Sequence, residues 1–544
     1  MGQKLITGRQ RITQMDDRKI IGADKGEKNY KITVTGRGEE IILNCMEKEN
    51  LLEAMTRQGI YMSAACGGRG TCGKCKIQLI EGNLKITFSD KKVFSKDELN
   101  DGCRLSCQAY PEADLTIKLT AGDEADFEVV TDLGRTSQQK RKKDDSYAIA
   151  IDIGTTTIAI SLIEVTSGDN LWTYTTVNKQ RAYGADVIAR MQASNNGKKQ
   201  ELRECIQKDL LSGIQAVVAK TGIEKEQIQK LAIAGNTTMG HLLLGYSCET
   251  LGIFPFTPVN INTIVLPFEE VLESDYLKIP VILLPGISTY VGADIAAGLL
   301  ACDYDRAEKP SLLIDLGTNG EMAIGNKDKI LVSSTAAGPA FEGGNISCGV
   351  GSIAGAICNI EGVGDQLTFK TIGDKPPVGI CGTGVIEIVS ELVKAGLVDE
   401  TGLLDEEYFE TGYQIAEDKA GNKINFTQRD VREIQLAKAA VRAGIEILVR
   451  RYGVGYEEID TVYLAGGFGY KINIGKAIEV GLLPKELEGK IKAIGNSSLG
   501  GAVKYLTQNN TPDRMKHIIE TSDEINLSND KDFNDLYVEY MYFE

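Results

Sequence analysis

Apolar and polar positions alternate, lapse and then run together along this chain, and the three regimes predict different elements. Near the N-terminus, Tyr30 to Val34 alternate as a half-buried strand, and Glu40-Ile-Ile-Leu-Asn-Cys45 reads as its hairpin partner across Gly36-Arg-Gly38. Leu51 to Gly59 fits a short helix stopped by glycine, and Lys76-Ile-Gln-Leu-Ile80 returns to strand. Between Thr120 and Tyr147 the pattern lapses into Gly134-Arg-Thr-Ser-Gln-Gln-Lys-Arg-Lys-Lys-Asp-Asp-Ser146. A polar tract of mixed charge cannot bury enough surface to order itself, so it predicts a flexible tether. Beyond it, Tyr147-Ala-Ile-Ala-Ile-Asp-Ile-Gly154 and Leu312-Leu-Ile-Asp-Leu-Gly317 are apolar runs ending in aspartate and glycine, each followed by a second strand, Ile158–Ile163 and Met322–Ile324. Thr427 to Arg450, with Val431, Ile434, Ala437, Ala440 and Ile445 on one face, predicts an amphipathic scaffold helix.

The repeated strand, aspartate, glycine, threonine, strand unit carries chemistry. A tight turn with exposed amides and hydroxyls between two strands is a phosphate cradle, and Asp152 is placed to orient a metal-bound water. Thr155-Thr-Thr157 and Gly317-Thr-Asn-Gly-Glu321 supply the two turns, and a third glycine-rich turn follows at Tyr463-Leu-Ala-Gly-Gly-Phe-Gly469. One such turn is a common motif; two copies imply two similar lobes facing one nucleotide. No Walker-type glycine-lysine-serine/threonine stretch competes for the role. Other glycine-dense segments stand at helix starts, among them Ala234-Gly-Asn-Thr-Thr-Met239, Cys381-Gly-Thr-Gly384 and Asn496-Ser-Ser-Leu-Gly-Gly501, some of which must simply permit close packing of helices on sheets. Asp294 reads either as an interior carboxylate of the cleft or as a plain helix cap.

Cysteines carry the other chemistry. Ala65-Cys-Gly-Gly-Arg-Gly-Thr-Cys-Gly-Lys-Cys75 places Cys66, Cys72 and Cys75 on a glycine-rich loop, and Cys103 and Cys107 follow downstream. Such glycines let backbone amides turn toward sulfur, where they stabilise an anionic cluster. The spacing resembles that of ferredoxins carrying a 2Fe-2S cluster, in a five-residue variant of the first interval. The Arg-Leu-Ser-Cys-Gln context resembles the fourth-ligand site of those ferredoxins, and the resemblance implies Cys107 as the fourth ligand, with Cys103 as a buried spare thiol. Zinc is the alternative, although zinc ribbons usually present two cysteine pairs. Cys205, Cys248, Cys302, Cys348, Cys358 and Cys381, without ligand spacing, are expected to be buried thiols.

Bulk properties narrow the classes. The 544 residues exceed one core, so several domains are expected: an N-terminal extension (1–29), a ferredoxin-like domain (30–121), a linker (122–146) and two lobes (147–310 and 311–544). A formal net charge of −16 argues against nucleic acid as a partner. The polar N-terminus argues against a secretory signal, and no apolar run is long enough to span a membrane, so the cytoplasm is the expected address. With His241 and His517 the only histidines, carboxylates, backbone amides and bound cofactors must do the work.

Taken together, Asp-Ile-Gly-Thr-Thr-Thr (152 to 157), Asp-Leu-Gly-Thr-Asn-Gly-Glu (315 to 321), Gly-Pro-Ala-Phe-Glu-Gly (338 to 343) and Leu-Ala-Gly-Gly-Phe-Gly (464 to 469), behind a ferredoxin segment, resemble the reductive activators of corrinoid proteins. The resemblance implies an α/β fold: an actin-like ATPase with two ribonuclease H-like lobes, preceded by an α+β β-grasp 2Fe-2S ferredoxin domain. Some members carry an extra domain between the two parts, where this chain has only its short linker. The implied activity is ATP-dependent electron transfer to an inactive cobalt(II) corrinoid protein of a methyltransferase system, restoring cobalt(I). The implied cofactors are a 2Fe-2S cluster on Cys66, Cys72, Cys75 and Cys107, ATP, and Mg2+. Asp152, Asp315 and Glu321 take catalytic roles by the same resemblance. Gly154, Thr155, Thr156, Thr157, Gly317, Thr318, Asn319, Gly382, Gly466 and Gly467 bind the nucleotide, with Gly466 and Gly467 facing the base. An upstream low-potential electron donor and a homodimer are also implied. Other readings are an ATP-dependent activator of a radical dehydratase, a nucleotide-switched redox adaptor, and a small-molecule kinase with a regulatory cluster.

Overall fold

Two compact units emerge in the computed structural model, one of Met1–Ile60 with Lys76–Ala121, the other of Tyr61–Cys75 with Gly122–Glu544. The structure describes residues 28–36, 40–62, 64, 66, 68–119, 145–419, 421–467 and 471–543. Most of the N-terminal extension and of the tether, the turn Arg37-Gly38, Ala65 and Gly67 of the cysteine loop, and Phe468-Gly469 lie outside the described residues.

Alternation in the smaller unit produces a mixed five-stranded sheet. Its strands are β1 (Asn29–Thr35), β2 (Ile41–Met46), β3 (Lys76–Glu81), β4 (Cys103–Leu105) and β5 (Leu115–Leu119), in the order β2-β1-β5-β3-β4. β1 runs antiparallel to β2 and parallel to β5, the β-grasp arrangement expected from the sequence. Inward positions Ile32, Val34, Leu43, Ile77 and Ile117 form its core with Leu51 and Met55 of the helix Leu51–Arg57. Asn50 caps that helix by accepting from the Glu53 amide, which satisfies one of its orphan donors.

The larger unit repeats one topology. In the first lobe β6 (Tyr147–Ile153), β7 (Thr157–Glu164) and β8 (Asn170–Val177) form an antiparallel meander. β9 (Ile228–Gly235) then pairs parallel with β6, and β10 (Ile264–Pro267) and β11 (Pro280–Leu283) complete the order β10-β11-β9-β6-β7-β8. In the second lobe β12 (Ser311–Leu316), β13 (Gly320–Gly325) and β14 (Ile330–Thr335) repeat the meander. Two small sheets intervene, β15 (Ala356–Glu361) with β16 (Thr368–Thr371) and β17 (Gly379–Ile380), and β18 (Tyr413–Glu417) with β19 (Lys423–Phe426). β20 (Val462–Ala465) and β21 (Ile491–Gly495) extend the main sheet in parallel beside β12, and β22 (Ser522–Glu524) covers the far edge. Both central strands are buried on two faces, which explains their unbroken apolar runs. Each therefore delivers its terminal aspartate, Asp152 or Asp315, to the same end of a lobe.

Helices Ala293–Ala301 and Ser497–Thr507 pack against each other, each following a parallel strand of its lobe, β11 or β21. Their approach depends on glycine: a Cβ at Gly501 would stand 1.9 Å from the Ala297 carbonyl oxygen. Gly501→Ala must push the helices apart, and overpacking of this kind costs about 1–3 kcal/mol. Calorimetry of the variant is expected to show a Tm lowered by several degrees. The long helix Gln428–Tyr452, opened by a Thr427–Asp430 capping box, buries Val431, Ile434, Ala437, Ala440 and Ile445 as its sequence predicts. Among the described residues no helix is long and apolar enough to cross a membrane.

Candidate nucleotide cleft and cysteine loop

The turn after β6 is held by side chains from behind. Gly154 donates its amide to the Thr157 carbonyl, and a Cβ on Gly154 would stand 2.7 Å from that oxygen. Asn178 Nδ2 donates to the Gly154 carbonyl at 2.9 Å, its amide donates to the Thr156 carbonyl, and Arg190 Nη2 donates to the Thr155 carbonyl at 2.6 Å. Asn236 Nδ2 reaches the Thr155 hydroxyl at 3.0 Å. The turn after β12 closes by the Gly317 amide donating to the Asn319 carbonyl.

Both turns meet at one carboxylate. Thr156 of the first lobe and Thr318 of the second donate to Glu342 Oε2 at 2.9 and 3.1 Å, and the two hydroxyls are 3.3 Å apart. Two threonines, one from each copy of the motif, thus face one point across the cleft. The start of the helix Ser497–Thr507 supplies a second set of donors. Asn496 Nδ2 and the Ser498 hydroxyl both bond Asp152 at 2.7 Å, and the Ser497 hydroxyl bonds Asp315 at 3.2 Å.

Five acidic groups, Asp152, Asp294, Asp315, Glu321 and Glu342, share this cleft. Burial, and then the charges of Asp294 and Asp152, push Asp315 up to about 7. Burial, followed by the charge of Asp152, does the same to Asp294. Burial also raises Asp152 and Glu342 despite their donors, and raises Glu321 well above the usual carboxylate range, with Asp294 and Asp315 adding to it. Glu321 sits directly across the β12–β13 ladder from Asp315. An array in which like charges oppose one another is stabilised by an incoming cation.

The sequence-predicted residues are not equally placed. Asp152, Gly154, Thr155, Thr156, Asp315, Gly317, Thr318, Asn319 and Glu321 lie on the two turns or their flanking strand ends, and Thr157 opens β7. Gly466, at φ +92°, packs against the Leu316 carbonyl and the Asp315 carboxylate, where a Cβ would meet them at 2.3 and 2.9 Å. Gly467 has open space around its Cα. Gly382 begins the helix Gly382–Lys394, outside the hydrogen-bond network joining the two turns. Asp294 joins the acidic array and also holds the Ile295 amide. Sequence reasoning missed the roles of Glu342, Asn178, Arg190, Asn236 and Asn496-Ser-Ser498. Glu342 lay inside a quoted motif, and Asn236 and Asn496 carried an N-cap signal that concealed a second bond. Both histidines are structurally satisfied: His241 lies between the Thr237 carbonyl and the Val259 amide, and His517 bonds the Lys327 carbonyl.

On the cysteine loop, Cys66 and Cys72 are hydrogen-bonded to each other. The bond from Cys72 and the Thr71 and Cys72 amides pull Cys66 down to about 4, against burial; Cys72, as the donor, is pushed up. Gly68, Gly70 and Gly73 all take positive φ, which turns the loop so that its amides face sulfur. Cys107 is buried in the turn Ser106–Gln108 of the smaller unit, with Gln108 Nε2 3.8 Å from its sulfur, and Cys103 is buried in β4. Among the described residues no three histidine, cysteine, aspartate or glutamate side chains converge closely enough to hold a metal ion. The donor set still suits an anionic iron-sulfur group, since the Thr71, Cys72 and Lys74 amides point at the Cys66 and Cys72 sulfurs.

Comparison with known proteins agrees with both halves. Residues 33–112 match the 2Fe-2S iron-sulfur cluster binding domain, 147–307 the RACo middle region, and 309–544 the C-terminal domain of RACo, the ASKHA domain. The corrinoid activation enzyme RamQ of Eubacterium limosum is 34% identical over 419 residues, covering 73% of this chain and 70% of that protein. A [Co(II) methylated amine-specific corrinoid protein] reductase of Methanosarcina barkeri is 28% identical, covering 72% and 76%. A solved reductive activator for corrinoid, iron-sulfur protein superposes with a TM-score of 0.67 at 28% identity, covering 94% of this chain and 98% of that one. The matches span the segments that carry the threonine turns, the acidic cleft and the cysteine loop, and the chain is a member of the family of corrinoid activation enzymes.

Proposed function

We propose that this protein hydrolyses ATP in the cleft between its two lobes and uses that turnover to deliver one electron to an inactive cobalt(II) corrinoid protein, restoring cobalt(I). The observation that carries the reading is the convergence of Thr156 and Thr318, one from each lobe, on a single point in a chain that also carries a ferredoxin segment. With ATP bound, the two hydroxyls and the turn amides grip phosphate oxygens, and the donors from Asn496 to Ser498 hold Asp152 and Asp315 toward the reacting end. Magnesium, when bound, offsets the charge shared by these carboxylates and the phosphates. Asp152 orients the attacking water, Asp315 and Glu321 complete the acidic wall, and Gly466 lets the third turn close on Asp315. Cys66, Cys72, Cys75 and Cys107 hold the 2Fe-2S cluster, which supplies one-electron reduction when present.

The coupling has a physical reason. A cobalt(II)/(I) couple about 100–200 mV below the donor asks for about 2–5 kcal/mol per electron. ATP cannot change a potential by itself; it favours one arrangement of the lobes through contacts that differ between nucleotide states. A cytoplasmic protein, working as a homodimer and recharged by a low-potential donor, is consistent with this role.

The test mixes reduced protein, MgATP and a cobalt(II) corrinoid protein under anaerobic conditions and follows cobalt(I) absorbance. Conversion is expected with ATP and absent with a non-hydrolysable analogue. Equal conversion without nucleotide would remove the energetic role of the cleft.

A further inference from the structure

Arg190 is fully buried, and among the described residues none of its hydrogen-bond partners is a carboxylate. Its Nε donates to the Gly184 carbonyl at 2.9 Å, its Nη2 to the Thr155 carbonyl at 2.6 Å, and its Nη1 points at the Met239 sulfur, 3.3 Å away. A thioether is a weak acceptor, so no direct hydrogen-bond partner of the guanidinium carries a counter-charge. Burial pulls Arg190 down to about 10, which still leaves it charged at neutral pH. Asp186, whose charge it feels, is engaged in capping the helix Val187–Ala193 through the Ala189 amide. With Asp186 acting only through space and no carboxylate bonded to it, the buried guanidinium gains from an anion that arrives nearby.

We infer that Arg190 is a positioning residue for the nucleotide phosphates, acting from behind the first turn through the Thr155 peptide. The inference rests on the ATP reading of the cleft. Because a peptide is planar and trans, its carbonyl and N–H point in opposite directions. Drawing the Thr155 carbonyl back toward Arg190 aims the Thr156 amide the other way, on the residue whose hydroxyl meets Glu342 and Thr318. Asn178 treats the Gly154 carbonyl alike and so turns the Thr155 amide. Of the two, only Arg190 adds charge, and it does so from a buried site that solvent screens weakly. Phosphates therefore gain from Arg190 and the nucleoside does not.

The experiment measures affinity for MgATP, ADP and adenosine in wild type, Arg190→Gln, Arg190→Lys and Met239→Glu. The last variant keeps the arginine but sets a carboxylate where the thioether stands, which neutralises the charge even if Arg190→Gln does not fold. MgATP affinity is expected to fall about tenfold in Arg190→Gln and Met239→Glu, ADP affinity less, and adenosine affinity to stay within about twofold; Arg190→Lys retains most of the phosphate preference. An equal loss for all three ligands, or unchanged MgATP affinity in Met239→Glu, overturns the inference. Failure of the wild type to bind MgATP overturns the ATP reading itself and the inference with it.

Discussion

Cys72→Ser is expected to give a protein with little visible iron-sulfur absorbance, depleted iron and sulfide, and no cobalt(II) reduction, while ATP hydrolysis persists. Cys72 is hydrogen-bonded to Cys66 on a loop whose left-handed glycines direct amides at sulfur, so a serine there removes one sulfur ligand from the donor set. The cleft draws its groups from β6, β12, Glu342 and the start of the helix Ser497–Thr507, none of which involves the cysteine loop. Loss of electron delivery with retained hydrolysis is therefore the signature of two chemistries carried by one chain. A parallel pair decides the fourth ligand. Cys107→Ser is expected to lose the cluster, and Cys103→Ser to keep it. Cys103 lies in the ladder opposite Gln78, whereas Cys107 occupies the turn after it, where backbone is less constrained by pairing. Iron, sulfide and absorbance measured after identical anaerobic purification settle the question, and a Cys72→Ser protein with full iron content and activity would refute the assignment.

What was legible in the sequence depended on whether the signal was local. The strands bearing Asp152 and Asp315 announced themselves because both faces are buried, which forces an apolar run up to the aspartate. The helix Gln428–Tyr452 was legible from its apolar spacing, and the cysteine loop from its intervals. Glu342 was not, because its role exists only when Thr156 and Thr318, 162 residues apart, are brought together. Arg190 left no trace either: an arginine in a short amphipathic helix reads as a solvent-facing charge until the fold shows it enclosed. Asn496-Ser-Ser498 gave a true but incomplete signal. Asn496 does cap its helix, and the same residue also donates to Asp152 from the other lobe. Gly501 belongs to a segment expected to pack helix on sheet, and it packs on a helix instead, with the Ala297 carbonyl where its side chain would be. Contacts between the two copies of the motif are long-range by construction, so the cleft was visible as two halves and not as a network.

Asp152→Asn is expected to lower ATP hydrolysis about 10²–10³-fold while leaving the nucleotide-free protein as stable as wild type or more so. The activity loss follows from position: Asp152 lies next to the last residue of β6, two residues before the turn Gly154 to Thr156, and is held by Asn496 and Ser498 at 2.7 Å each. Asparagine keeps the shape and can retain one of those bonds, but it loses the charge that orients water and balances a cation. The stability result has the opposite sign because the same charge is unfavourable in the empty cleft. Burial raises Asp152, and its charge helps raise both Asp294 and Asp315. Neutralising one member of an array of like charges relieves its neighbours, so function and stability pull apart at this residue. Steady-state hydrolysis read beside calorimetry, both with and without MgATP, checks the pair of outcomes. Wild type should gain Tm on adding MgATP, since a ligand that binds the folded state alone stabilises it, and the variant should gain less. A variant that hydrolyses ATP normally, or that unfolds many degrees earlier than wild type in the absence of nucleotide, would show that Asp152 supports the fold and not the reaction.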